Sequence, residues 1–242
     1  MNKTSIIIVA LDKTERDRQM TGSCIGTIEM NTNREDYELI LVDQMAFETI
    51  GAVANPGVLK YTPIKNGDGD HRYLPVVLDK YIEVPENIGL SAAYNLGAKN
   101  ATGKYLVFMH NDIFLPDNWL PNMIKALEEN KAKIITPHQG PTTREEVKRW
   151  SQMTHKELMN EQGHYDAGLL LMKTEFFKST PGFDEAFKII FPGMVFVRYI
   201  CNCDLYCTPE VNMIHFGARD QDPKLIMEEQ PFLYSHGYLT ER

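Results

Sequence analysis

Long apolar runs are missing from this 242-residue chain, and none approaches the ~18–20 residues that a membrane span needs. Residues 1–10 hold one lysine and a five-residue apolar run, too short for the apolar region of a secretory signal. Positive charge is in deficit. The 25 Lys and Arg against 33 Asp and Glu leave a formal net charge of −8, which disfavours a generally basic nucleic-acid binder. Cysteine is scarce as well, four in the chain, so a disulfide scaffold is excluded. There is no Walker-type Gly-rich loop, no internal repeat and no low-complexity linker. What is present, 43% hydrophobic and 24% charged residues, is ordinary globular composition and excludes wholesale disorder. The expectation is a soluble, cytoplasmic protein with no membrane span.

Three of the cysteines, Cys201, Cys203 and Cys207, form a C-x-C-x3-C cluster. A structural zinc site normally pairs CxxC-type ligands with a fourth partner at compatible spacing. That pattern is absent, and reduced thiols beside a strand are the expected reading.

Residues 5–10 are a continuous, β-branched apolar run, as expected of a strand buried on both faces. A polar stretch with Met20, Cys24, Ile25 and Ile28 at helical spacing follows, then a second buried strand over 39–42 ending at Asp43. Strand, helix, strand in this order predicts a βαβ unit. Residues 74–78 and 80–84 read as short strands, with the turn signal Asn66-Gly-Asp-Gly-Asp70 before them. A helix is expected from about Ser91, broken at Gly97 and Gly103, then the strand 105–109 running into His110-Asn111-Asp112. Asp117 is expected to cap a helix carrying Trp119, Leu120, Met123, Ile124 and Leu127 on one face. Strands begin at Ile134 and at Gly168. Between them, Thr142 and Thr143 with Glu145 and Glu146 predict a capped helix to about Gln162 whose charged residues face solvent. One α/β domain over 1–242 is the simplest account, with a mostly parallel central sheet flanked by helices.

In open α/β sheets, ligands bind beyond the carboxyl ends of the strands. Asp43 and Asp112 fall at two such ends. A carboxylate there is often a turn former, but Asp112 is followed by Ile-Phe-Leu-Pro and not by a helix, which weakens that explanation.

Several motifs now stand in order: Asn87-Ile-Gly89, Ala93-Tyr-Asn95-Leu-Gly97, Ala101-Thr-Gly103, Tyr105-Leu-Val-Phe, Asn111-Asp112 and Pro116. Together they resemble the central segment of family 2 glycosyltransferases, enzymes with the nucleotide-sugar-binding fold called GT-A. Residues 5–12 resemble the family's first strand and loop, although its Pro and Asn are here Val9 and Asp12. Leu41-Val-Asp43 resembles the second strand with its base-binding Asp. Gly168-Leu-Leu-Leu-Met and Pro181-Gly-Phe-Asp-Glu-Ala-Phe187 resemble the acceptor-side segment, and His215 the family's late His. The likeness covers residues 5 to about 217 and is looser over 51–80 and 138–163.

The resemblance implies a GT-A domain with its nucleotide-sugar half at about 1–112 and its acceptor half at about 113–242. It implies transfer of a hexosyl or pentosyl group from a nucleotide-sugar donor, UDP-linked before purine-linked, to a hydroxyl acceptor. Donor contacts fall on Ala10, Asp12, Asp43, Asn87, Gly89, Asn95, His110 and Asn111. The family's Asp-x-Asp is represented by His110-Asn111-Asp112, in which only the second carboxylate is present. Asp112 and His215 are then the metal pair, with His110 a third contact or a donor to phosphate. A divalent cation, Mn²⁺ or Mg²⁺, would offset the charge of the departing diphosphate; hard cations take carboxylate oxygen, and Mn²⁺ also takes imidazole.

One departure matters. Inverting members of the family carry a Glu-Asp pair just after the Gly-Phe-Asp-Glu segment, and in register those positions are Pro192 and Gly193. The alternatives are a base elsewhere, a retaining outcome, or a protein that binds a nucleotide sugar or carbohydrate without turnover. Asp184 is the first candidate for base or acceptor contact, followed by Glu185, Asp166 and His164. The acceptor, whether glycan, protein or nucleic acid, is not encoded in these motifs. A modified base in DNA stays open through Arg144, Lys148, Arg149 and Lys156.

Overall fold

A computed structural model of the chain describes residues 3–11, 15–44, 58–60, 75–139, 168–188, 192–201, 205–215, 231, 235 and 236. Its centre is an eight-stranded sheet. Strand β1 (Thr4–Ala10) pairs in parallel with β2 (Tyr37–Gln44) on one side and β6 (Tyr105–His110) on the other, and β5 (Lys80–Val84) adds in parallel to β2. Strand β9 (Leu169–Lys173) runs antiparallel between β6 and β8 (Ile134–Gln139). Strand β10 (Leu205–His215) lies parallel to β8, and the short β7 (Ile113–Phe114) closes the row antiparallel to β10. The sheet is therefore parallel in its first half and mixed in its second. A separate antiparallel pair joins β3 (Val58–Lys60) to β4 (Pro75–Val77).

Every residue of β1 and β2 is buried, as the unbroken apolar runs demand of strands covered on both faces. Alternation divides the strands between two cores. Ile6, Ile8, Leu39, Leu41, Val107, Met109 and Leu171 face α1 (Glu15–Asn31) and α3 (Trp119–Glu129). Ile7, Val9, Ile40, Val42, Leu106, Phe108 and Leu170 face α2 (Leu90–Lys99) and α4 (Thr174–Lys178). Phe183 of the following turn stacks on Phe196 at 4.5 Å between centroids and meets Phe108 edge-on at 4.8 Å. Those rings fasten the 181–188 segment and a π-helical turn, Phe196–Ile200, to the same face; the turn continues a short helix, α5 (Pro192–Val195).

Two sequence expectations need correction. Gly97 does not break α2 but lies inside it, where a Cβ would stand 2.4 Å from Ile7 Cγ2; glycine is there to let the helix approach β1. Asp117 does not cap α3. The N-cap is Asn118, at φ 57°, without a side-chain capping bond. The apolar face of α3 is otherwise as expected, with Trp119, Leu120, Met123 and Leu127 buried. The helix expected over 142–162 and the turn at 66–70 lie outside the described residues. No helix among the described residues is long and apolar enough to cross a membrane.

Candidate metal and donor site

The parallel strands β1, β2 and β6 end at one rim of the sheet. There Ala10 stands opposite Asp43, and Val9 opposite His110. His110 is the last residue of β6, and its backbone N–H bonds Gly168 O at 2.8 Å. Cys24 of α1 meets His110 O at 3.5 Å, and Asn111 Nδ2 donates to Thr21 Oγ1 at 2.6 Å, so α1 fixes the chain as it leaves the strand. Asp112 occupies the turn between β6 and β7. The β7–β10 ladder pairs Ile113 with His215 and so carries His215 across to Asp112 from far along the chain.

Three side chains converge as a result. His215 Nε2 lies 3.1 Å from Asp112 Oδ1 and 3.3 Å from His110 Nδ1, and the ligand atoms of all three fall within 4.8 Å of one another. The His215 side chain is only 6% exposed and that of Asp112 20%. Asp112 Oδ1 is fully buried, and the 3.1 Å approach of His215 is an ion-pair contact without the geometry of a hydrogen bond. A cation set among the three side chains would add to what His215 gives this buried oxygen. Burial raises the Asp112 carboxyl, but His215 and then His110 more than offset this and hold it below the usual carboxylate range. Ionised, and flanked by two imidazoles, it has the donor chemistry of a divalent site. Among the described residues no other group of three such side chains converges in this way.

Cys201 and Cys207 are free thiols, and Cys203 lies outside the described residues. Burial pushes the Cys207 thiol up to about 12, so it is not a ready thiolate ligand.

The remaining sequence candidates separate into groups. Asp43 is 1% exposed at the end of β2, and Tyr81 Oη donates to its Oδ2 at 2.9 Å. Tyr81 carried no signal in the sequence. Asn87 Oδ1 and Gln44 Oε1 both accept the N–H of Gly89, at 3.0 and 3.1 Å, and hold it at φ 88° ahead of α2. Asn95 reaches the acceptor-side turn. It accepts the Phe183 N–H at 2.9 Å and donates to Phe183 O at 2.9 Å and to Glu185 Oε1 at 3.0 Å. Gly182, at φ 84°, makes room for it, since a Cβ there would stand 2.7 Å from Asn95 Oδ1. The residues the sequence ascribed to donor binding over 87–95 thus spend their described hydrogen bonds on backbone and turn. Asn87, Asn95 and Glu185 also line a cavity of about 620 Å³ along the outward side of α2. Asp12, His164 and Asp166 lie outside the described residues.

Asp184 makes one contact within its own turn and one to a distant histidine. Its Oδ1 accepts the Ala186 N–H at 3.0 Å, as a turn former does, and its Oδ2 lies 3.0 Å from His236 Nδ1. His236 was not legible as a site residue, because 52 positions separate it from its partner and no local motif marks it.

A sheet of this order, with carboxylate and imidazoles gathered at the strand ends, has the GT-A fold. Residues 79–191 match the family described as "Glycosyl transferase family 2". It is 23% identical to N-acetylgalactosaminyltransferase 6 of Drosophila melanogaster over 75% of its own length and 36% of that protein's. It is 28% identical to glycosyltransferase GlyA of Streptococcus pneumoniae serotype 4 over 46% of its length and 14% of the relative's. The chain therefore spans about a third or less of these curated relatives. Its fold is shared with GalNAc-T7, solved with UDP, GalNAc and Mn²⁺, at TM-score 0.58 and 16% identity, over 88% of this chain and 43% of that one. It is shared also with residues 1–349 of S. aureus TarS, at TM-score 0.60 and 10% identity, over 96% and 64% of the two chains.

Proposed function

We propose that the protein transfers a sugar from a UDP-linked donor to a hydroxyl acceptor and that the reaction depends on a divalent cation held by His110, Asp112 and His215. The convergence of those three side chains at the strand-end rim, around a buried and unsatisfied carboxylate oxygen, carries the reading. GalNAc-T7, which shares the fold, was solved with UDP and Mn²⁺, and this supports the choice of nucleotide and ion. The cation would act as a Lewis acid on the diphosphate leaving group. Asp112 supplies the anionic ligand. Asp43, oriented by Tyr81, forms the wall of the nucleoside pocket beside Ala10.

Two imidazoles and one carboxylate make a softer donor set than the all-oxygen shell that Mg²⁺ prefers. Calorimetric titration of UDP should therefore show binding with Mn²⁺, binding weaker by about tenfold or more with Mg²⁺ (an order-of-magnitude expectation from donor softness), and none in EDTA. UDP affinity that is indifferent to the ion would remove the metal from the account.

A non-catalytic nucleotide-sugar binder is the second reading, favoured by Pro192 and Gly193, which stand in sequence register where the resemblance expects a carboxylate pair. It differs from the first in binding UDP with Mn²⁺ while never releasing UDP from a UDP-sugar.

A further inference from the structure

An inverting transfer needs a destination for the acceptor's proton. Neither Pro192 nor Gly193 can take it. The acceptor-side segment does hold a carboxylate–imidazole pair, Asp184 with His236. The His236 ring meets Phe187 edge-on, 6.0 Å between centroids at 83°. Asp184 is fixed in turn by the Ala186 N–H. The pair is reachable from solvent, with the His236 side chain 36% exposed and that of Asp184 21%.

Its position follows from the hydrogen bonds of the segment. Lys188 O accepts the Leu90 N–H at 2.6 Å, and Gly89 is tied to Gln44, the last residue of β2. Lys188, at the end of the segment, is thereby tied to the start of α2 and to the rim where β1, β2 and β6 end, while Phe183 and Glu185, on either side of Asp184, bond Asn95 further along α2. Among the described residues, Glu185 and Lys188 on the same segment, Glu86 before α2 and Lys99 at its end line the cavity of about 620 Å³.

We infer that His236 is the acceptor-side general base and Asp184 its positioning carboxylate; this rests on the transferase reading above. With Nδ1–H donated to Asp184 Oδ2, Nε2 is the basic nitrogen. As the acceptor oxygen bonds to the anomeric carbon, its proton passes to Nε2. The electron pair of the anomeric C–O bond leaves with the nucleoside diphosphate, and Asp184 balances the imidazolium.

The test uses water as acceptor. Hydrolysis of UDP-GalNAc and UDP-GlcNAc with Mn²⁺ is followed across pH for wild type, H236Q, H236F and D184N, with UDP titration of each. Removal of a general base is expected to slow H236Q and H236F by about 100-fold or more and to abolish the acid limb of the pH profile, with UDP affinity unchanged. D184N should be slowed less and have its acid limb displaced. H236F hydrolysing at the wild-type rate would overturn the inference, because the ring would then only pack on Phe187. Loss of UDP binding together with hydrolysis would overturn it too, by making the role structural. Wild type that binds UDP but never hydrolyses a donor removes the base and leaves the donor site standing. Wild type that binds no UDP removes the transferase reading itself.

Discussion

Asp112→Asn should weaken Mn²⁺ binding by about 100-fold or more, measured by the loss of free-ion signal on titrating the protein into Mn²⁺ in an electron paramagnetic resonance tube. Changing only the outer hydrogen-bond partners of metal ligands already costs roughly 10–100-fold in affinity. Asp112 is the one anionic ligand of the three, its carboxyl is held below the usual carboxylate range, and one of its oxygens is buried without a hydrogen bond. Substitution by the amide keeps the shape and removes the charge. The neighbouring Asp117 is exposed, and D117N serves as a control that should bind Mn²⁺ like wild type. A D112N variant with wild-type affinity would mean that the cluster is an internal hydrogen-bonded arrangement and not a metal centre.

Glu38→Ala should destabilise the fold by about 3 kcal/mol, and Glu38→Gln by less, because it strands buried donors. Glu38 Oε1 accepts from Ser5 Oγ at 2.5 Å, Thr102 N at 2.6 Å and Thr102 Oγ1 at 2.9 Å. Ser5 Oγ in turn accepts the Gly103 N–H at 2.8 Å, and Lys80 Nζ stands 3.7 Å from Oε2. One carboxylate thus ties β1, β2 and the loop before β6 together at the end of the strands opposite His110 and Asp112. Burial raises the Glu38 carboxyl, but the bonds from Ser5 and Thr102 and the Lys80 charge outweigh it and bring the group below its ordinary range. A depressed carboxyl contributes stability that is complete above its unfolded value and is lost as pH falls through the folded one. Urea unfolding should therefore show a gap between wild type and E38Q that is constant above the ordinary glutamate range and narrows as pH falls below it. A gap that does not narrow with falling pH would mean the carboxylate charge is not what holds the knot.

That knot shows how the sequence was and was not readable. The apolar runs within β1, β2, β6 and β9 announced buried strands, because a strand covered on both faces carries apolar residues at successive positions. Asp112 and His215 were legible only through a family resemblance; the ladder between β7 and β10 that joins them is a long-range fact. Ala101-Thr-Gly103 stood out as a motif, and its physical reason appears only in three dimensions: a Cβ at Gly103 would stand 2.6 Å from Lys3 O and Ser5 N. Asn95 and Gly97 follow the same rule, one bracing the Phe183 turn and the other admitting Ile7. Motif residues near a donor site thus include several that build the rim. The pairing of Asp184 with His236 had no local trace, since neither helix nor strand periodicity links a turn to a residue 52 positions later.

Release of UDP from UDP-GalNAc, with Mn²⁺ and with EDTA, tests the central claim most directly. Slow, continuous release in Mn²⁺ that stops in EDTA and is absent from D112N is the expected result. Release that is unaffected by EDTA or by D112N would contradict the metal-dependent mechanism. No release in any condition, with UDP still bound through Mn²⁺, would contradict the enzyme and leave a nucleotide-sugar binder.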